Sequence, residues 1–233
     1  MDKIAGIKHI FFDLDRTLWD FEKNSENTLL QLIETYGLEA KCGVEAPIII
    51  DTYKKVNKEL WSQYGKNQIT KEQLRSSRFT KTLSTFNYHF LGFGNQLEKE
   101  YIERSPYQTH VIPGAFEILD FLKPKYSLHV MTNGFSEVQH IKLKQSKLNT
   151  YFDEIIISEN VGYQKPDKKI FEHAQNSIKA LASTCLMIGD DHQGDVQGAL
   201  DAGWSAIHFN SHGEPGFSDH IQIKTLSELR SML

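Results

Sequence analysis

An apolar run at residues 7–12, Ile-Lys-His-Ile-Phe-Phe, ends abruptly at Asp13, and the next strand-like run is not reached until about residue 128. A short apolar run of this kind reads as a buried strand, here with an acidic C-terminal end. The long stretch between the two runs carries helical rhythm. Ser25 reads as the cap of a helix with Leu29, Leu30, Leu32, Ile33 and Tyr36 on one stripe, stopped by Gly37. Pro47 opens a second helix, and Thr70 with Gln73 forms a capping box before Leu74, Phe79, Leu83 and Phe86. Gly92 and Gly94 break that run, and a short helix over 97–102 ends the stretch. From Pro113 onward the pattern alternates: helix 116–122, strand 128–132, helix 137–148, strand 154–158, a helix after Pro166, strand 184–188, helix 196–202 and strand 206–209. Such alternation means βαβ units and a parallel sheet with both faces covered. The expected fold class is therefore α/β: a Rossmann-like parallel-sheet core over residues 1–19 and 106–233, interrupted after its first strand by an all-helical domain over residues 20–105.

Composition narrows the function classes. The 233 residues carry a net charge of −4, which gives no basic footprint for a nucleic acid polymer or an anionic membrane. The lysines around Lys123 and Lys142 read as solvated faces. Cys42 and Cys185 lie too far apart in sequence for a metal-ligand spacing, and Cys185 reads as a small core residue. The acidic Asp13 comes too early for a secretory apolar segment, and no apolar run approaches the roughly 20 residues that span a bilayer. A cytoplasmic protein, monomeric or a weak homodimer, is expected.

The chemistry gathers where the strands end. Ligands of open α/β sheets bind beyond the carboxyl ends of the strands. The first strand ends in Asp13-Leu14-Asp15-Arg16-Thr17, the second in Thr132-Asn133-Gly134; Gln164-Lys165-Pro166 follows the third, and the fourth ends in Gly189-Asp190-Asp191, with Asp195 shortly after. Each piece has an ordinary explanation, since Asp-x-Asp and Gly-Asp-Asp occur in turns, Thr-Asn-Gly is a turn signature, and Pro starts helices. Their conjunction, each after an apolar strand, is what points to a site. Asp13, Asp190 and Asp195 are hard oxygen donors that suit magnesium. Lys165 supplies a fixed positive charge able to hold a carboxylate or a phosphate, and Thr132 and Asn133, with the main-chain N–H groups leading into the next helix, offer a place for phosphate oxygens. Asp13 is then placed to attack phosphorus, and Asp15 to protonate the leaving oxygen and later activate water.

Through these motifs the sequence resembles the haloacid dehalogenase-like hydrolase superfamily. Asp13-Leu14-Asp15-Arg16-Thr17 is similar to its first motif, Thr132 to its second, Lys165 to its third, and Asp190 with Asp195 to its fourth. The resemblance implies a sheet of strand order 5-4-1-2-3 and a helical cap inserted after the first motif. It also implies a magnesium ion held by the carboxylates of Asp13, Asp190 and Asp195 and by the main-chain carbonyl of Asp15. The segment from Asp13 to Phe21, with Asn24 and Ser25, further resembles the pyrimidine 5′-nucleotidase branch, which implies a small phosphorylated metabolite, a nucleotide, as substrate.

Two positions depart from the pattern. Arg16 stands where many relatives have Gly, its side chain available to shape an entrance. Asp191 stands where Ser or Asn is more usual and reads as a helix cap. Arg16, Trp19 and Phe21 are candidate substrate-lining residues, whereas Trp61 and Tyr64, at helical spacing, read as core. His192 reads as exposed or as a neighbour of the metal ligands. Three rivals remain at this level: a 2-haloacid dehalogenase, a sugar phosphomutase or sugar phosphatase on the same fold, and a binding module without catalysis.

Overall fold

The computed structural model describes residues 4–211, 213 and 220–233. The chain divides into two compact units, one formed by Met1–Phe21 with Thr109–Leu233 and the other by Glu22–Gln108.

The first unit is built on a parallel sheet. Strand β1 (His9–Phe12) is followed, after the helical insert, by α6 (Ala115–Leu122), β2 (Ser127–Thr132), α7 (Ser136–Gln145), β3 (Glu154–Ile157), the short α8 (Ser158–Val161), α9 (Lys168–Ser177), β4 (Cys185–Gly189), α10 (Gly198–Asp201), β5 (Ser205–Phe209) and β6 (Gln222–Ile223), with α1 to α5 in the second unit. The six strands run in the order β3-β2-β1-β4-β5-β6. Five of them give the expected order; the sixth, a two-residue edge strand parallel to β5, was not expected. Two residues are too few to show a periodicity.

The continuous apolar character of β1 follows from its central place. Ile10 and Phe12 join Val130, Ile188 and Phe209 in one core cluster, while Phe11 joins Met131, Met187 and Trp204 in the other. Successive side chains point to opposite faces, and both faces are covered, so the buried positions Ile10, Phe11 and Phe12 have to be apolar. Register then sets the site. Phe12 pairs with Val130 on one side and Ile188 on the other, and the Asp13 N–H donates to the Ile188 carbonyl at 2.9 Å. The first residues past β1 and β4 therefore emerge side by side.

The second unit contains α1 (Phe21–Tyr36), α2 (Leu38–Cys42), α3 (Ala46–Gly65), α4 (Lys71–Ser84) and α5 (Phe93–Arg104). Pro47 lies in the first turn of α3, and the Thr70–Gln73 capping box is present in both directions. Ser25, expected as a cap, lies inside α1 instead; it is buried, and its hydroxyl accepts a bond from the Tyr101 hydroxyl at 2.8 Å. Trp61 and Tyr64 are only half-buried, stacked edge to face on each other and outside the apolar cluster of this unit, contrary to the core position expected of them.

That cluster encloses a polar knot. Arg78 donates to Glu98 at 2.5 and 3.1 Å and to Asn57 at 3.3 Å, with its guanidinium over the Tyr101 ring. Removing one partner of a buried pair strands the other charge. Arg78→Met is expected to destabilise the protein by about 3–5 kcal/mol in urea titration, most of it the cost of the orphaned Glu98. No helix among the described residues is long and apolar enough to cross a membrane.

Candidate active site

Beyond the ends of β1 and β4, Asp13, Asp190 and Asp195 each present a carboxylate oxygen within 4.8 Å of the others. Asp13 and Asp195 are buried and Asp190 is half-buried. Gly189 makes the approach of Asp195 possible: a Cβ at that position would lie 2.1 Å from an Asp195 carboxylate oxygen. The Asp195 carboxylate also accepts the Asp191 N–H at 3.0 Å. Asp190 accepts from the Thr17 hydroxyl at 3.3 Å, and its carbonyl lies 3.0 Å from His208 Nε2.

Lys165 lies among these acids. Its ammonium donates to Asp13 at 2.6 Å, to Asp195 at 2.5 Å and to the Met131 carbonyl at 2.9 Å, which occupies all three of its N–H donors. Burial works against its charge, but Asp13 and Asp195 outweigh burial and hold the ammonium above the usual lysine range. The acids stay frustrated. Burial pushes Asp13 up to about 7, opposed by Lys165 and reinforced by Asp195. Burial and the charge of Asp13 take Asp190 to about 7 as well. Asp195 is raised to about 6, mainly by burial and against the pull of Lys165.

Three carboxylates against one ammonium leave a deficit of two positive charges, the charge of one divalent cation. The donors are all hard oxygens, the set that magnesium prefers. The residues present therefore fit the ion that the sequence led us to expect.

Asp15 and Arg16 occupy the tight loop after β1, in which the Leu14 carbonyl accepts from the N–H groups of Leu18 and Trp19. Arg16 has φ 68°, in the left-handed region that glycine adopts most readily. That geometry accounts for a position where Gly is common. The Arg16 guanidinium lies over the Phe21 ring, 4.2 Å from its centroid. Phe21 is half-buried, whereas Trp19 is fully buried within the core of the sheet unit. Trp19 thus has no surface to offer a substrate, which corrects the lining role expected of it.

Thr132 is buried, and its hydroxyl oxygen accepts from the Gly134 N–H at 3.1 Å and from Gln139 at 2.7 Å. Both bonds use the oxygen as acceptor, so the hydroxyl proton is not spent in either. The Asn133 amide bonds the main chain of Lys165 in both directions, at 3.0 and 2.9 Å. Its side chain braces Lys165 and keeps a second amide N–H beyond that bond. Asp191 caps the turn after β4, accepting the N–H groups of Gln193 and Gly194 at 3.0 Å each.

The sequence pattern of the haloacid dehalogenase-like hydrolases matches residues 10–209, which takes in every strand end described above except the β6 edge. The chain belongs to the haloacid dehalogenase-like hydrolases. Within this family it is 30% identical to the pyrimidine 5′-nucleotidase YjjG of Escherichia coli (strain K12), over 96% of each chain. It is 32% identical to the pyrimidine 5′-nucleotidase PynA of Streptococcus pneumoniae, over 96% of this chain and 91% of the relative. The crystal structure of the Bacillus subtilis protein YfnB bound to magnesium superposes with a TM-score of 0.87 at 28% identity, covering 97% of this chain and 98% of that one.

Two residues of this haloacid dehalogenase-like site were not anticipated. Lys142, expected on a solvated face, is buried, and its ammonium lies 2.7 and 2.9 Å from the two Asp15 oxygens. Gln139 bridges Thr132 to Asp15, with its amide 3.0 Å from the latter. The one signal available in the sequence was their spacing, three apart on the helix that follows the Thr-Asn-Gly strand end, which places both on one face.

Proposed function

We propose that the protein is a magnesium-dependent phosphatase that hydrolyses small phosphomonoesters through an aspartyl-phosphate on Asp13, with pyrimidine nucleoside 5′-monophosphates as its substrate class. The observation that carries this proposal is the convergence of Asp13, Asp190 and Asp195 around one ammonium, with a net need for two further positive charges. Magnesium, held by these three carboxylates and the Asp15 carbonyl, would supply Lewis-acid neutralisation of the phosphoryl charge.

The chain's own residues divide the reaction as follows. An Asp13 oxygen attacks phosphorus in line, the bond from phosphorus to the ester oxygen breaks, and Asp15 gives its proton to that oxygen, releasing the alcohol. Asp15, now a carboxylate, takes a proton from a water that attacks the same phosphorus. The bond from phosphorus to Asp13 breaks, inorganic phosphate leaves, and both aspartates return to their starting forms. Lys165 holds Asp13 in place for the attack and balances charge through both steps, and Thr132 donates to a phosphoryl oxygen. Arg16 and Phe21, stacked beside this loop, are the residues proposed to meet the remainder of the substrate.

A dehalogenase would have no use for a second acid at Asp15 or for a divalent-cation site, so both features favour the phosphatase. The nucleotide class rests on the two relatives named pyrimidine 5′-nucleotidases. A phosphate-release screen over nucleoside monophosphates, sugar phosphates and glycolytic intermediates, with and without magnesium, tests both parts. Uridine and thymidine monophosphates are expected among the best substrates. Their appearance among the poorest would remove the nucleotide assignment, and chloride release from chloroacetate in the presence of chelator would remove the phosphatase assignment.

A further inference from the structure

We infer that Lys142 and Gln139 are positioning residues that fix the Asp15 carboxyl group; this rests on the acid–base role proposed for Asp15. Lys142 and Gln139 lie three residues apart on α7 and face the loop after β1 together. The Lys142 ammonium reaches Asp15 Oδ1 at 2.7 Å and Oδ2 at 2.9 Å, and the Gln139 amide reaches Oδ2 at 3.0 Å. Three donor contacts therefore fall on a carboxylate with about four lone-pair sites, two of them on Oδ2. Oδ2 thus takes two of these contacts and Oδ1 one, which fixes the plane of the carboxyl group.

Both donors are themselves held. The Lys142 ammonium lies 4.4 Å from the centroid of the buried Trp19 ring, and that ring face and Asp15 together replace the water that a buried lysine gives up. Gln139 is fully buried, and its amide is tied to Thr132 at 2.7 Å. A Cβ at Gly134 would lie 1.9 Å from that amide nitrogen, so the glycine of Thr-Asn-Gly is what admits Gln139 to the site. The aspartate two residues after the nucleophile is thus tied by one amide to the threonine at the end of β2. A surface role for Lys142 would explain none of these contacts.

A residue that acts through Asp15 matters only for the steps Asp15 serves. Protonation of the leaving oxygen is needed for an alkyl ester such as uridine 5′-monophosphate and not for p-nitrophenyl phosphate, whose phenolate leaves unaided. Lys142→Met is expected to lower kcat for the alkyl ester about 10- to 100-fold, as a slightly misplaced catalytic group does. KM should stay within about threefold, because ground-state binding is untouched. The pre-steady-state burst of nitrophenolate should be nearly unchanged. Lys142→Arg, which keeps charge and donors, is expected to recover most of the loss. Gln139→Met, which leaves the charge pair intact, should show the same selectivity at smaller size and serves if Lys142→Met does not fold.

The decisive comparison is a double-mutant cycle with Asp15→Asn. If Lys142 works through Asp15, adding Lys142→Met to Asp15→Asn costs less than about twofold beyond Asp15→Asn alone. Losses that multiply in the double variant, or a nitrophenolate burst slowed as much as alkyl-ester turnover, would overturn the inference while leaving the phosphatase standing. A wild-type protein that releases phosphate from neither ester would overturn both.

Discussion

Asp13→Asn is expected to lower phosphomonoester turnover by at least about 10⁴-fold, the scale on which removal of a nucleophile acts. An amide is not a nucleophile toward phosphorus, and it accepts the Lys165 ammonium without the charge that holds it. The same substitution should leave the fold intact. Asn is close in size to Asp, and Asp13 is one of three acids crowded within 4.8 Å with a single lysine to share. Burial already pushes the Asp13 carboxyl up to about 7, so its ionised form is costly to the folded protein near neutral pH. In metal-free buffer at pH 8 the variant is therefore expected to melt no lower than wild type. An inactive variant that is also markedly less stable would mean that Asp13 is a structural residue.

Removal of the divalent cation should have the second-largest effect. Chelation is expected to reduce activity about 100- to 1000-fold, which is the several kcal/mol that a Lewis acid contributes to a phosphoryl transition state. Readdition of magnesium should restore it. Stability gives an independent readout, and its sign follows from the three acids. Their carboxyls are raised in the folded protein from an ordinary 3.8 to about 7, 7 and 6. A raised carboxyl binds its proton more tightly in the folded state than in the unfolded one. Its contribution is thus fully present below about pH 4 and is lost as pH climbs through the folded value. Metal-free protein should lose stability from this cluster between about pH 4 and 7, whereas magnesium, which binds the ionised carboxylates, should cancel the loss. The gap in Tm between magnesium-loaded and chelated protein is expected to be near zero at pH 4–5 and to reach roughly 5 °C or more at pH 8. A gap independent of pH would contradict a cation held by these carboxylates.

Much of the site could be read from strand ends. Asp13, Thr132 and Asp190 each follow or close an apolar run, and parallel register brings the ends of β1, β2 and β4 to one edge. Lys165 and Asp195 were legible for a related reason, since Lys165 comes after the end of β3 and Asp195 soon after that of β4. What was not legible depended on contacts between distant elements. A lysine on a helix reads as solvated, and nothing local marks Lys142 as different until α7 is seen against the loop that carries Asp15 and Trp19. Trp19 misled in the opposite direction: its nearness to Asp13 in sequence suggested a lining role, whereas the loop turns it into the core. Ser25 looked like a helix cap because α1 was expected to begin later than it does; its start at Phe21 puts Ser25 a full turn inside. The two residues of β6 and the π-helical turn at His192–Gln197 are too short and too irregular for any periodicity to announce. That turn nevertheless matters, because it carries Asp195 back to lie against Gly189.

The most direct test of the proposed chemistry is to stop the enzyme in rapid acid during turnover of a phosphomonoester and weigh its peptides. The peptide containing Asp13 is expected to carry the added mass of one phosphoryl group, and oxygen from labelled water should appear in the released phosphate and not in the Asp13 carboxylate. A phosphoryl group on any other residue would contradict an aspartyl-phosphate formed at the end of β1, and solvent oxygen accumulating in Asp13 would contradict the attack of water at its phosphorus.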